Sequence, residues 1–306
     1  MPAPDALQPD PGLIGAVPAP PFCRLPDPAR LFAARAARFD QLAAGHALGP
    51  YLAFLAALSA AQDRVARSGL PEGPLPSVAE RTRSAEHGMP LLDRERLPAS
   101  PAFAAALDGL LDALAGTPMP PQAEAAIAVI RHGDDAARAR MAEAVLSDAI
   151  PFEAVAEHVV VAAALQVVAA GLAARLDPAP KASLGECLCP ACGAAPVSSA
   201  IVGWNGAHGA RYCACSLCGT RWNYVRVKCT ACGGTEGISH PQIDGGTGTV
   251  KAECCSVCRT ELKILYETQD PALDPVADDV ASLALDLLVA EDGYRRSGVN
   301  PFLIGY

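Results

Sequence analysis

The sequence predicts an α+β multidomain chain: an N-terminal all-α domain, two tandem rubredoxin-like or zinc-ribbon modules, and a C-terminal helix. Three observations lead there. Alanine and other apolar residues recur at helical spacing through the first 180 positions. Four Cys-x-x-Cys pairs then fall within seventy residues, as two copies of one pattern. Beyond Asp274-Pro275 a last apolar stripe returns at helical spacing. A chain of 306 residues, 51% hydrophobic, is long enough for more than one core.

Residues 1–27 are rich in proline and read as an extended lead-in. The helical domain spans 28–180. Asp27-Pro28 supplies a cap and a first-turn proline, and Leu31, Phe32, Ala36, Phe39 and Leu42 share one face. A second helix runs over 51–67 and stops before Gly69 and Pro71. Prolines and charges make 70–100 a long irregular connection. Helices follow at 101–115, 122–131, 134–146 and 152–175, giving about six in all. The most apolar run, 159–174, is interrupted by Gln166 and is short for a bilayer span. It reads as a buried helix, with His158 on its apolar face as a core or helix-surface residue. Asp177-Pro-Ala-Pro180 marks the domain's end.

The pairs are Cys189/Cys192, Cys215/Cys218, Cys229/Cys232 and Cys255/Cys258. The first and third start forty residues apart, as do the second and fourth, and each copy has twenty-two residues between its pairs. Duplication of a module explains this. A Cys-x-x-Cys on a tight turn aims two sulfurs at one point, and two such knuckles make a tetrahedral all-sulfur site for Zn(II) or a single iron. Site one is then Cys189, Cys192, Cys215 and Cys218, in module 185–227. Site two is Cys229, Cys232, Cys255 and Cys258, in module 228–267. The chain thus carries two mononuclear ions, iron or zinc. A cross-braced pairing of first with third knuckle, structural disulfides and a redox dithiol are the alternatives. Gly193, Gly219 and Gly233 follow three of the pairs, where positive φ eases the turn. Arg259 follows the fourth, which makes that turn less ideal. Cys187, Cys213 and Cys254 lie outside the repeat as spare thiols, support for the ligands, or a redox pair. Cys23 reads as a small buried residue.

Residues 270–306 hold the last helix and a tail. Val276, Val280, Leu283, Leu287 and Leu288 form its stripe, and Asp278 and Asp279 sit in its first turn, where the helix dipole favours carboxylates. The tail, with Arg295, Arg296 and several aromatics, packs back on the core or presents a docking segment.

The net charge of −9 and the lack of a basic stripe argue against nucleic acid as a partner. Charge is uneven, though. Positions 187–235 carry Arg211, Arg221, Arg226 and Lys228 with no acid, whereas 236–270 carry three bases and six acids. The cationic first module is expected to dock on the acidic helical domain, with an anionic partner as the other reading. The N-terminus lacks a basic segment followed by an apolar one, so a cytoplasmic protein without membrane insertion is expected. No catalytic motif is recognisable: no Gly-x-Ser-x-Gly, phosphate loop or His-Glu-x-x-His. His46, His87, His132, His208 and His240 are scattered. His208 and His240 lie in the inter-knuckle loops as substitute ligands at most.

The cysteine modules and the tail resemble the formate dehydrogenase accessory protein family, FdhE. The resemblance is carried by Cys189-Pro-Ala-Cys192-Gly, Arg211-Tyr-Cys-Ala-Cys-Ser-Leu-Cys218-Gly-Thr-Arg-Trp222 and Val225-Arg-Val-Lys-Cys229-Thr-Ala-Cys232. It continues through Lys251-Ala-Glu-Cys-Cys-Ser-Val-Cys258, Leu262-Lys-Ile-Leu265, Ala277-Asp-Asp-Val-Ala-Ser-Leu-Ala-Leu-Asp286, Gly293-Tyr294 and Asn300-Pro-Phe-Leu303. Positions 25–61 and Glu157-His158 look similar less distinctively. The resemblance implies a cytoplasmic, non-enzymatic accessory protein. Its partner would be the formate dehydrogenase catalytic subunit, bound before export by the twin-arginine pathway. It also implies rubredoxin-like modules, with iron as a metal they can hold. The residues themselves leave a second reading open: an iron-dependent redox protein or electron carrier acting in cofactor or thiol chemistry.

Overall fold

The computed structural model describes residues 19–177, 179–180, 184–185 and 187–303. Most of the proline-rich lead-in (1–18), Pro178 and the last three residues lie outside them.

Seven α-helices occupy 28–173 among the described residues: α1 Pro28–Ala43, α2 Gly49–Arg67, α3 Val78–Glu86, α4 Pro101–Ala113, α5 Pro121–His132, α6 Asp135–Leu146 and α7 Val155–Ala173. Helix α7 is apolar all round, and a helix of that kind belongs inside a core. Every residue from His158 to Ala173 except Gly171 is buried, with α1, α2, α4, α5 and α6 packed around it. By length and composition this helix could cross a membrane, but 78% of its most apolar window is buried within the protein. His158 is a core histidine whose Nδ1 lies 2.6 Å from the Ala154 carbonyl. Caps sit where the side chains predict: Asp27, Ser100 and Asp134 each accept from the first turn of their helix.

Helix α3 falls in the stretch expected to be irregular. It buries no residue, so it has no apolar stripe to reveal it. Its Ser77/Glu80 capping box, with each side chain bonded to the other's backbone amide, was the available signal.

The two cysteine modules do not fold as separate beads. Their strands form one sheet, extended by β1 from the lead-in and β8 from the tail: β1 Cys23–Arg24, β2 Pro196–Ile201, β3 Arg211–Cys215, β4 Arg221–Tyr224, β5 Ile238–Ser239, β6 Val250–Cys255, β7 Thr260–Tyr266 and β8 Arg295–Arg296. The order is β1-β4-β3-β2-β7-β6-β5, with β8 also on β7. A forty-residue shift carries β3 onto β6 and β4 onto β7. The copies join where β2 pairs in parallel with β7, at Ser199↔Ile264, Ala200↔Leu265 and Ile201↔Tyr266. Cysteine spacing carries no information about this lateral pairing. At the far edge β1 covers β4, which shields a strand that would otherwise be open for pairing.

Charge pairing also departs from expectation. Two of the three arginines of the first module meet acids of the second, not of the helical domain. Arg211 pairs with Glu253 at 2.8 Å, both fully buried, and Arg221 with Glu267. The helical domain supplies arginines instead: Arg35 reaches Asp274, and Arg38 reaches Asp270 and Asp278.

The last helix breaks at Ser282 into α8 Ala277–Ala281 and α9 Leu283–Glu291. The break rotates the expected stripe, so Leu285 and Val289 face inward while Leu287 and Leu288 stay about half exposed. Asp278 and Asp279 do more than answer a helix dipole. Both are buried, Asp278 against Arg38 and Asp279 against Arg296, Lys263 and Asn300. The tail packs inward, with Phe302 beside Phe39 and its carbonyl accepting from the Tyr51 hydroxyl at 2.7 Å.

Candidate metal centres

All twelve cysteines lie within the described residues, and all are free thiols. The eight knuckle cysteines gather into the two sequential groups, not the cross-braced ones. In site one, Cys189 and Cys218 are 3.6 Å apart at sulfur, and Cys192 and Cys215 are 3.5 Å apart. In site two, Cys229–Cys258 is 3.6 Å and Cys232–Cys255 is 3.8 Å. A tetrahedron with metal–sulfur bonds of about 2.3 Å has edges of about 3.8 Å. Both clusters therefore fit a four-coordinate ion, and the donor set serves zinc or iron alike.

Local backbone explains the convergence. Each first knuckle closes through one pair of bonds: Cys189 N to Ala194 O with Gly193 N to Cys189 O, and Cys229 N to Gly234 O with Gly233 N to Cys229 O. Amides turn toward the sulfurs as well. Leu217 N and Cys218 N point at Cys215 Sγ, and Ala231 N and Cys232 N at Cys229 Sγ, at 3.3–3.5 Å. Such donors stabilise a thiolate.

A threonine completes each site. Thr220 Oγ1 lies 3.1 Å from Cys218 Sγ, and Thr260 Oγ1 lies 3.0 Å from Cys258 Sγ. Toward a thiolate the hydroxyl is the donor. These two residues were missed in the sequence, although they occupy equivalent places in the repeat.

Electrostatics shows why such clusters suit a cation. Burial, then contact with the other sulfurs, holds Cys189 well above the usual thiol range. Burial also opposes ionisation of Cys215, but hydrogen bonds from Cys189, Cys192 and Cys218 outweigh it and hold Cys215 well below that range. In site two, burial pushes Cys229 up to about 12. Cys258 overcomes its own burial through Thr260 and the neighbouring sulfurs and falls to about 7. One sulfur in each group ionises at its neighbours' expense, and a bound cation would let all four ionise together.

The turns after the knuckles need positive φ. Gly219 also needs its lack of a side chain: a Cβ there would meet Leu31 of α1 at 2.8 Å. Arg259 adopts φ 58° without being glycine, which costs on the order of 1 kcal/mol. The C-terminal segment compensates. The Arg259 guanidinium stacks on Tyr294 and donates to the Asp292 carbonyl, and Arg295 N donates to the Arg259 carbonyl at 2.9 Å.

The remaining cysteines separate. Cys254 is a core residue beneath α9, packed with Ala252, Leu285 and Val289, and burial raises it to about 12. Cys23 lies half-buried in β1. Cys187 and Cys213 face each other beside site one. Neither His208 nor His240 joins a cluster; His240 faces Glu253 at 3.6 Å.

Comparison with known proteins covers nearly all of the chain. Three family models cover the chain in sequence: FdhE N-terminal over 20–186, FdhE central domain over 188–226 and FdhE C-terminal domain over 227–303. The chain belongs to the FdhE family. A protein FdhE homolog of Rhizobium meliloti (strain 1021) is 45% identical over 303 residues, 98% of both chains. Another, of Pseudomonas putida (strain KT2440), is 38% identical over 93% of this chain and 90% of its own. The crystal structure of the FdhE protein from Pseudomonas aeruginosa superposes with a TM-score of 0.82 at 35% identity, covering 94% of this chain and 99% of that one. This chain thus shares with that structure a fold in which a helical N-terminal part precedes a sheet region, and here the sheet region carries both four-cysteine clusters.

Proposed function

We propose that this FdhE protein is a non-enzymatic accessory factor for formate dehydrogenase, acting in the cytoplasm and binding the catalytic subunit before export. The observation that carries this reading is family membership along the full chain, cysteine modules included. Cys189, Cys192, Cys215 and Cys218 would hold one ion, and Cys229, Cys232, Cys255 and Cys258 the other. Iron there would supply a one-electron couple, whereas zinc would supply charge that holds the knuckles together. The units at 28–180, 185–227, 228–267 and 270–306 are then a helical domain, two rubredoxin-like modules built into one sheet, and a helical closing segment. Co-purification with a tagged catalytic subunit tests the reading. A one-to-one complex with the unexported subunit is expected. Absence of a complex with both the cofactor-free and cofactor-loaded subunit would overturn it.

A second reading, an iron-dependent redox protein or electron carrier, is favoured by the openness of site two, where Cys232 is exposed and Cys258 half-buried. It requires a visible spectrum that bleaches on reduction and returns on reoxidation. A colourless zinc protein would eliminate it.

A further inference from the structure

Cys187 and Cys213 belong to neither cluster, yet their sulfurs lie 3.3 Å apart, a closer approach than the 3.5–3.8 Å contacts inside the clusters. Both side chains are fully buried. We propose that they form a redox-active dithiol site: a two-electron thiol–disulfide couple attached to site one, whose substrate is a small-molecule disulfide.

Four features support it. An approach of about 1.3 Å closes the gap to a disulfide bond of about 2.05 Å. The pair also breaks the repeat: forty residues on, the equivalents of Cys187 and Cys213 are Val227 and Glu253, so site two has no such couple. In addition, Cys187 and Cys213 each precede a ligand by two residues, Cys189 and Cys215. Cys213 and Cys215 share a face of β3, since side chains alternate along a strand. The couple therefore joins the same two chain segments that site one joins through a metal. Finally, Cys187 is held at φ 53° in a tight turn, where its amide donates to Gly185 O at 2.6 Å and Leu184 bridges Leu188. Backbone held in this region by its surroundings is a feature of functional sites.

Access comes from the side of that turn. Leu184, Gly185 and Leu188 line a cavity of about 850 Å³ that reaches Cys192 and the loop at Met89–Leu92. Neither Cys187 nor Cys213 lines that cavity, so an incoming disulfide RSSR reaches Cys187 once the turn opens. Cys187 Sγ attacks one sulfur, forming a mixed disulfide and releasing RS⁻, which takes up the Cys187 proton. Cys213 then attacks Cys187 Sγ and expels the second RS⁻. Two protein thiols and RSSR become one protein disulfide and two RSH, with two electrons passed to the small disulfide and both protons accounted for. The eight metal-site cysteines take no part.

The test is incubation of the full-length, metal-loaded protein with oxidised glutathione, followed by intact mass, metal content and disulfide mapping. A single intramolecular bond between Cys187 and Cys213 is expected, with both ions retained and full reversal by reduced thiol. In C213S the crosslink should be lost and a glutathione adduct trapped on Cys187; C187S should also lose the crosslink. Because the wild-type map alone identifies the partners, poor folding of either variant leaves the result decisive. No crosslink in excess oxidised glutathione would overturn the proposal. So would first crosslinks among the eight knuckle cysteines, with metal loss.

Discussion

The two four-cysteine clusters share a sequence module and a hydrogen-bonding scheme but not an environment. In site one all four cysteines are buried, and they belong to the main hydrophobic core together with Phe32, Leu55, Leu165 and Trp222. Helix α7 touches it directly, Gln166 donating to the Ser216 carbonyl within its second knuckle, and the connection between α3 and α4 touches it too, Leu92 N donating to Ala191 O within its first. Site two has no such cover. Cys232 is exposed and Cys258 half-buried, and the contacts that reach this site from outside its module are few, among them the Tyr224 hydroxyl on the Cys229 carbonyl and the tail on Arg259. Knuckle geometry is thus local and repeats with the sequence, whereas burial is tertiary and depends on what the helical domain covers. Site one serves as a keystone between the domains, and site two as a module at the sheet's open end.

The largest effect should come from removing one ligand of each site. A structural ion held by four thiolates contributes roughly 10 kcal/mol or more to folding, comparable with the whole stability of a domain. C189S should therefore lose cooperative unfolding of the chain, or fail to accumulate. C229S should keep the helical core and expose only 228–267 to limited proteolysis. Equal proteolysis patterns would break the comparison.

Next in size is the strut between the modules. Glu253→Ala leaves Arg211 buried without its carboxylate, which should cost about 3–5 kcal/mol in urea unfolding. Replacing both residues by apolar ones of similar volume should recover most of that loss. Failure to recover would mean that Arg211 is needed for its bonds to the Val225, Arg226 and Lys228 carbonyls, which fix the linker into site two.

A pH effect should come third. Glu261 is buried at the start of β7; burial, then Asp286 beside it, raises it to about 8 from the ordinary 4.5, against the opposing Lys263 and Arg296. Both Glu261 carboxylate oxygens lack a hydrogen-bond partner among the described residues. The folded state then binds more protons than the unfolded one between these values, so stability falls as pH rises from about 4.5 to about 8. The loss should amount to a few kcal/mol. Glu261→Gln should flatten this slope, as measured by thermal unfolding across the window. An unchanged slope would reject the assignment.

Arg259→Gly should have the smallest effect, within about 1 kcal/mol. Relief of positive φ, on the order of 1 kcal/mol, offsets the lost stack on Tyr294, about 0.5–1 kcal/mol at an exposed site. A loss well above that would show that the tail latch supports site two.

Local patterns were legible in the sequence. Register of the forty-residue repeat gave the two cysteine groups, and capping residues and apolar spacing gave most helices. Relations between distant segments were not. Nothing in the spacing told that β2 would pair with β7, or that Arg211 would find Glu253 rather than the helical domain. Helix α3 escaped because it buries nothing, and the break at Ser282 hid which leucines face outward. For Cys187, Cys213 and Cys254 a redox pair was one of three readings, and only folding singled out Cys187 and Cys213, twenty-six residues apart, by placing them side by side.

The most direct test is the metal content per chain during a timed challenge with a chelator, on wild type and C229S. Two ions are predicted in the wild type, one lost quickly from the open site and one slowly from the buried site, with only the slow phase left in C229S. Loss of both ions in a single phase, or a fast phase that persists in C229S, would contradict the account.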